Sequence, residues 1–210
     1  ISEAMVRKDL ALARSRCSDA VRFTMLLGIP SVLLINYFAL PLTHLFNSDD
    51  VVVVLKILCI GGIFSYLIQT TTGILQGMGK TSVPLVNALI SAFIRLPLLF
   101  YLTGIPVWGL KGSAWSYVIG YVCFAVLNLV AIKKEINFKF NVKAFVIQPL
   151  LAGLGMLLVI HLICSLAPNM VVVQLLAIAL GFLVYLFILV LNGGIKPEDL
   201  QKIPYLNRLK

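Results

Sequence analysis

The fold of this chain is decided by its last long apolar run, residues 171–191, which reads VVVQLLAIALGFLVYLFILVL. The run carries no charged side chain and a single amide, that of Gln174. A helix of about 20 largely apolar residues covers the roughly 30 Å of hydrocarbon in a bilayer. Because a surface helix of a soluble domain keeps one polar face, this run predicts a membrane-spanning helix that faces lipid on most sides.

Five further segments of similar length and apolar character precede this run. They occupy residues 23–46, 51–75, 83–103, 112–132 and 144–166. The whole chain is 60% hydrophobic and 12% charged with a mean hydropathy of +1.03, which excludes a soluble enzyme, a disordered tail and a disulfide-rich secreted module. The predicted fold class is therefore all-α, a polytopic membrane helix bundle with six transmembrane helices.

The segments between the spans set the predicted domain organisation. Residues 1–22 mix basic and small apolar residues and predict a cytoplasmic amphipathic linker helix before the first span. Four spans follow over residues 23–132, then a basic loop over 133–143, two further spans over 144–191 and a polar tail over 192–210. Because residue 1 is Ile and no signal peptide opens the chain, we expect a piece of a longer protein.

The 17 Lys and Arg residues are distributed unevenly around the spans. Lys56 and Lys111 fall on one side and Arg95 falls inside a span, whereas all the others fall on the opposite side. Because cytoplasmic loops retain positive charge, we expect a multi-pass protein of the cytoplasmic membrane with both ends of the chain in the cytoplasm. With no polar domain left to carry a phosphate-tracking surface, nucleic acid is excluded as a partner.

Arg95 is the most informative residue of the spans, because a charge in hydrocarbon is costly. It lies near the middle of its span, where Asn87 and Ser91 share its helical face. Two interpretations remain open: a cavity-facing cation that contacts an anionic substrate, or a structural cation bonded to carbonyls or to an acidic partner elsewhere. The preceding span has a stripe of small and polar residues that includes Gln69 and Gln76, which suits either close helix packing or the lining of a water-filled path.

The span over residues 112–132 carries features that indicate packing. Gly112, Ser116 and Gly120 repeat at four-residue spacing, which is typical of a close helix contact. We interpret Trp115, Tyr117 and Tyr121 as interface or packing aromatics rather than as a stacking platform.

The sequence shows no catalytic or metal-binding pattern. None of the eight Asp and Glu residues lies within the six predicted spans, and no nucleophile stands with a base or a ligand cluster. We therefore expect no enzyme activity, no cofactor and no metal site.

Several short motifs, in this order and spacing, resemble one family of exporters. They are Ile74-Leu75-Gln76-Gly77-Met78-Gly79-Lys80, then Pro84, Asn87 and Arg95, then Gly109-Leu110-Lys111-Gly112-Ser113-Ala114. The opening Ile1-Ser2-Glu3-Ala4 and the tail Gly194-Ile195-Lys196-Pro197-Glu198-Asp199-Leu200 with Ile203-Pro204 fit the same pattern. The chain is similar to polysaccharide and lipid-linked precursor flippases of the stage V sporulation protein B type, in the multidrug/oligosaccharidyl-lipid/polysaccharide exporter superfamily.

The resemblance implies a fold of fourteen helices in two lobes, of which this chain would supply helices nine to fourteen. It implies an N-terminal lobe, absent here, as a partner of the same chain, and alternating access as the mechanism. The implied cargo is a polyprenyl-pyrophosphate-linked sugar, such as a peptidoglycan or polysaccharide precursor. Arg95 would contact the pyrophosphate, and Asn87, Ser91, Gln69 and Gln76 the sugar hydroxyls.

Two other functions remain open. A cation-coupled multidrug exporter of the same superfamily would require carboxylates in the membrane, and the predicted spans have none. A non-transporting membrane scaffold subunit would have no water-filled path.

Overall fold

The computed structural model describes residues 1–44, 51–166 and 170–194, and throughout these residues it contains helices and no strand. Its helices are α1 (Ser2–Val6), α2 (Leu10–Tyr37), α3 (Ala39–His44), α4 (Val52–Gly77), α5 (Ser82–Thr103), α6 (Gly109–Ile136), α7 (Gln148–Leu166) and α8 (Val171–Leu191). A π-helical turn, Lys143–Ile147, leads into α7. Six of the helical segments described are long and apolar enough to cross a membrane, which confirms the predicted fold class.

The chain forms two compact units that divide between Asn141 and Val142. In the first unit α6 packs against α4 and α5, and α2 packs on α4, so the order across the unit is α2, α4, α6, α5. In the second unit α7 and α8 pack against each other. The buried residues of α8 form one stripe, Ala177, Gly181, Tyr185 and Leu189, as expected for a helix with a single packed face.

The first long helix begins before the predicted span 23–46. The side chain of Asp9 accepts a hydrogen bond from the Leu12 N–H at 2.9 Å and starts α2 at Leu10, so residues 10–22 belong to the same helix as the span. Its 28 residues extend about 42 Å, which exceeds the hydrocarbon thickness. Asp19 consequently lies inside this helix, before the predicted span 23–46. Residues 45–46 lie outside the described residues.

The predicted loop over 133–143 is also shorter in the structure, because α6 continues to Ile136. Lys133 and Lys134 stand in its last turn, where positive charge is favourable at a helix C-terminus. Asn137 then adopts a left-handed conformation with φ 52° and ends the helix. The predicted loops at 47–50 and 167–169, and the tail from residue 195 onward, lie outside the described residues.

Polar contacts tie together one end of the first unit. The Arg14 Nε–H donates to the Ile136 carbonyl at 2.6 Å, and Lys80 Nζ lies 3.1 Å from Glu135 Oε1. The start of α2, the turn between α4 and α5 and the end of α6 therefore lie at the same end, as an even number of crossings between them requires.

The start of α6 depends on a glycine at its contact with α5. A Cβ placed on Gly112 would lie 2.5 Å from the Leu102 carbonyl oxygen, which is backbone and cannot move aside cheaply. Gly112→Ala should therefore lower the free energy of unfolding by about 1–3 kcal/mol, measured by thermal unfolding in detergent. Gly73→Ala is the matched control: it also adds a methyl to a helical glycine, but no atom lies within 4 Å, so it should be neutral or stabilising. Equal behaviour of the two variants would contradict this packing.

Candidate functional site: the polar faces of α4, α5 and α6

A buried polar cluster joins α4, α5 and α6. Its centre is Asn128 on α6, which is fully buried. The Asn128 side-chain oxygen, Oδ1, accepts a hydrogen bond from the Asn87 Nδ2–H at 2.9 Å. The Asn128 Nδ2–H group donates to the hydroxyls of Thr71 at 3.1 Å and Thr72 at 3.2 Å. Because a buried amide is costly without partners, these bonds fix the mutual register of the three helices.

Asn87 and Ser91 both face α6, so their polar groups are engaged in helix contacts. Asn87 donates to Asn128, and the Ser91 hydroxyl donates to the Gly120 carbonyl at 2.6 Å. Both side chains are buried, with 8% and 7% of their surface exposed. The polar face predicted on α5 is present, and its Asn87 and Ser91 side chains are directed at α6.

Arg95 continues this face one turn beyond Ser91 and is only partly buried. Its guanidinium carbon lies 4.7 Å from the centre of the Tyr117 ring, a cation–π contact with α6. Its aliphatic stem runs over Gly120, where an added Cβ would lie 3.1 Å from Arg95 Cδ. No carbonyl or carboxylate of the described residues accepts a hydrogen bond from this guanidinium, so the N–H groups remain available to a ligand.

Tyr117 contacts side chains of its own chain, as predicted for a packing aromatic. The Arg95 guanidinium of α5 lies over its ring, and the ring meets Tyr121 edge-on with centroids 6.2 Å apart. The small-residue ladder on the same helix is confirmed as a helix contact: Gly112 lies against Leu102, Ser116 is fully buried and Gly120 lies against Arg95. Because Gly120 has no side chain, the Arg95 stem can approach α6 closely at this point.

Gln69 and Gln76 are exposed on α4 and stand apart from Arg95. Gly61 marks the position on α4 that is level with Arg95. A Cβ on Gly61 would lie 3.2 Å from Val118 and 3.3 Å from Tyr121, and these residues are one and four positions from Tyr117, the ring that Arg95 contacts. Gln69 is therefore roughly 12 Å further along the helix axis, and Gln76 is roughly 22 Å further. No hydrogen bond among the described residues joins either glutamine to Asn87, Ser91 or Arg95.

Thr72 belongs to the stripe of small and polar residues predicted on α4, whereas Asn128 and Thr71 were not predicted as members of a polar site. A signal was present, because Asn128 is the one amide side chain in the predicted span 112–132 and lies eight residues, about two helical turns, beyond Gly120. No group of three or more His, Cys, Asp or Glu side chains in the described part of the chain is placed to hold a metal ion.

The chain is similar to known membrane transport proteins in two comparisons. Residues 1–101 match the MatE family model. The chain is 25% identical, over its whole length, to stage V sporulation protein B of Bacillus subtilis (strain 168), of which the match covers 41%. The resemblance to the exporter superfamily is confirmed. The chain spans about two fifths of the length of this curated relative, and no solved structure matches it. The MatE match ends within α5, so it includes Asn87, Ser91 and Arg95 but not Tyr117 or Asn128.

Proposed function

We propose that this chain is part of a flippase that moves a polyprenyl-pyrophosphate-linked sugar, a precursor of peptidoglycan or another polysaccharide, across the cytoplasmic membrane. Support for transport comes from the six apolar helices together with the MatE match and the similarity to stage V sporulation protein B. In this proposal the chain supplies helices nine to fourteen of a two-lobed exporter. An N-terminal lobe of the same protein completes the central cavity, and rocking of the lobes exposes that cavity to each side in turn.

The observation that carries the choice of cargo is the environment of the Arg95 guanidinium. A guanidinium inside a span costs free energy, and such residues usually contact a ligand or line a polar path. The Tyr117 ring orients the guanidinium from one face and leaves its N–H edge free of partners among the described residues. A planar fork of this kind matches two oxygens of a pyrophosphate, so we assign Arg95 to the charged end of the cargo.

The remaining polar residues divide into two roles in this proposal. Gln69 and Gln76 are exposed amides on α4 and are assigned to the sugar hydroxyls of an extended headgroup. Asn87 and Ser91 are hydrogen-bonded to α6 and are assigned to holding α5 so that Arg95 reaches the cavity. No residue has a role in bond-breaking chemistry, since transport of this kind needs no enzyme activity.

Genetic complementation tests the choice of cargo. The full-length protein should restore growth to a bacterial strain depleted of its lipid-linked precursor flippase, and should give no resistance to cationic drugs. Drug resistance without complementation would instead support the multidrug exporter, and the absence of both would support a scaffold subunit.

Membrane orientation is a separate part of the proposal. Val107, 85% exposed in the turn between α5 and α6, should be external, and Lys134 at the other end of α6 should be cytoplasmic. We expect an impermeant thiol reagent on intact cells to label Val107→Cys and not Lys134→Cys in a background without native cysteines. Permeabilised cells, as the control, should label at both positions. Labelling of Lys134→Cys alone in intact cells would reverse the orientation.

A further inference from the structure

A cavity of about 420 Å³ lies beside the last three turns of α6. Its apolar wall includes Val126 and Val130, which are 49% and 44% exposed on the helix surface. Its other wall comes from the segment that follows the helix and includes Phe138 and Phe140. The cavity is thus an apolar recess between a membrane helix and the chain that leaves it.

The left-handed turn at Asn137 creates this recess. Its φ of 52° reverses the chain, and its N–H donates to the Lys133 carbonyl at 2.9 Å to close the helix. The chain after the turn then runs back beside α6, because Phe138 and Phe140 line the same cavity as Val126. Asn tolerates this conformation better than most residues do.

Two lysines give this recess a cationic rim. Lys133 and Lys139 both line the cavity and are exposed, and neither pairs with a carboxylate among the described residues. The nearest acidic residue in sequence, Glu135, forms an ion pair with Lys80, with 3.1 Å between Glu135 Oε1 and Lys80 Nζ. Lys133 lies roughly 36 Å along α6 from Gly109 at its start. Because this distance exceeds the roughly 30 Å of hydrocarbon, a membrane crossing that begins near Gly109 puts the rim at the level of the lipid headgroups.

We propose that this cavity binds one anionic phospholipid of the surrounding bilayer. Its phosphate lies between Lys133 and Lys139, and the upper part of an acyl chain lies along Val126 and Val130. The cationic rim is continuous with the apolar wall. A phospholipid would contact both, whereas a free phosphate would contact only the rim, so the cavity favours a lipid over a soluble anion. This lipid site goes beyond the proposed transport function and does not depend on it.

Lipid binding to the purified full-length protein tests the site. Native mass spectrometry in a mild detergent would measure the Kd for phosphatidylglycerol and for phosphatidylcholine with the same acyl chains. Phosphatidylglycerol should bind more tightly, and the double variant Lys133→Gln/Lys139→Gln should weaken its binding about thirtyfold, since each lysine near a membrane surface contributes a preference of about fivefold for anionic lipid. Binding of phosphatidylcholine should weaken less, because its choline group offsets the charge of its phosphate.

A matched control separates this site from general attraction to a basic surface. Lys134→Gln/Lys143→Gln removes the same charge from the same basic segment, and neither lysine lines the cavity, so this double variant should keep its affinity. A second variant, Val130→Trp, fills the recess without changing charge and should weaken both lipids. Equal losses in the two double variants, or unchanged binding in Val130→Trp, would overturn the proposal. Tighter binding of polyprenyl pyrophosphate than of phosphatidylglycerol, abolished by the same changes, would also overturn it, because the occupant would then be cargo.

Discussion

Arg95→Ala is expected to abolish transport by the full-length protein while the protein still inserts and folds. Among the described residues, the guanidinium contacts the Tyr117 ring and the stem of Arg95 contacts Gly120. The loss of the side chain therefore removes no hydrogen-bond partner from a buried polar group of the described residues. Loss of a bidentate, charge-assisted contact to a pyrophosphate costs about 3 kcal/mol, which corresponds to at least a hundredfold loss of transport rate. Complementation and thermal stability measured on the same variants check this expectation.

Two further variants show which property of Arg95 matters. Arg95→Lys keeps the charge and loses the planar fork, so its transport should lie between those of wild type and Arg95→Ala. Tyr117→Phe keeps the ring face under the guanidinium and should transport normally, whereas Tyr117→Leu removes the platform and should impair transport. If Arg95→Ala instead loses thermal stability together with activity, Arg95 is a structural cation. A stable and fully active Arg95→Ala protein would exclude both interpretations.

Asn128→Leu is expected to produce a large loss of stability in the first unit. The change keeps side-chain size but removes three interhelical hydrogen bonds, and the Asn87 amide loses the acceptor it donates to. Interhelical hydrogen bonds in membranes contribute about 0.6 kcal/mol each on average, so the free energy of unfolding should fall by about 2 kcal/mol. Unfolding in mixed detergent micelles would measure it.

Ser116→Ala is the matched control for Asn128→Leu. Ser116 is also fully buried on α6, but its hydroxyl donates to the Ser113 carbonyl of its own helix, so its loss should cost little. The double variant Asn87→Leu/Asn128→Leu leaves no orphaned amide and should be less destabilised than the sum of the two single variants. An Asn128→Leu protein as stable as wild type would show that the cluster does not hold the helices together.

The apolar pattern was enough to predict the number and approximate position of the spans, because hydrocarbon thickness imposes one length on every crossing. The run 171–191 agrees with α8 at both ends. The start of the first long helix was not predicted, because it is set by the Asp9 cap and not by hydrophobicity. The end of α6 was misplaced because Lys133 and Glu135 are polar but still helical, and only the left-handed Asn137 stops the helix.

The polar face of α5 was predictable from spacing, but the direction in which it points was not. Asn87, Ser91 and Arg95 share one side of the helix, and only packing decides that Asn87 and Ser91 meet α6. The pairing of Arg95 with Tyr117 depends on Gly120, which is the small residue that allows the stem to approach. A contact made by residues on two helices cannot be derived from the periodicity of either helix alone.

Flipping of a defined lipid by the reconstituted full-length protein tests the central claim most directly. Proteoliposomes would carry a fluorescent polyprenyl-pyrophosphate-linked disaccharide, and an impermeant quencher would report how much of it reaches the outer leaflet with time. We expect wild-type protein to flip this lipid, the same lipid without its pyrophosphate to remain in place, and Arg95→Ala to be at least a hundredfold slower. Equal rates for wild type and Arg95→Ala, or equal rates with and without the pyrophosphate, would contradict the account.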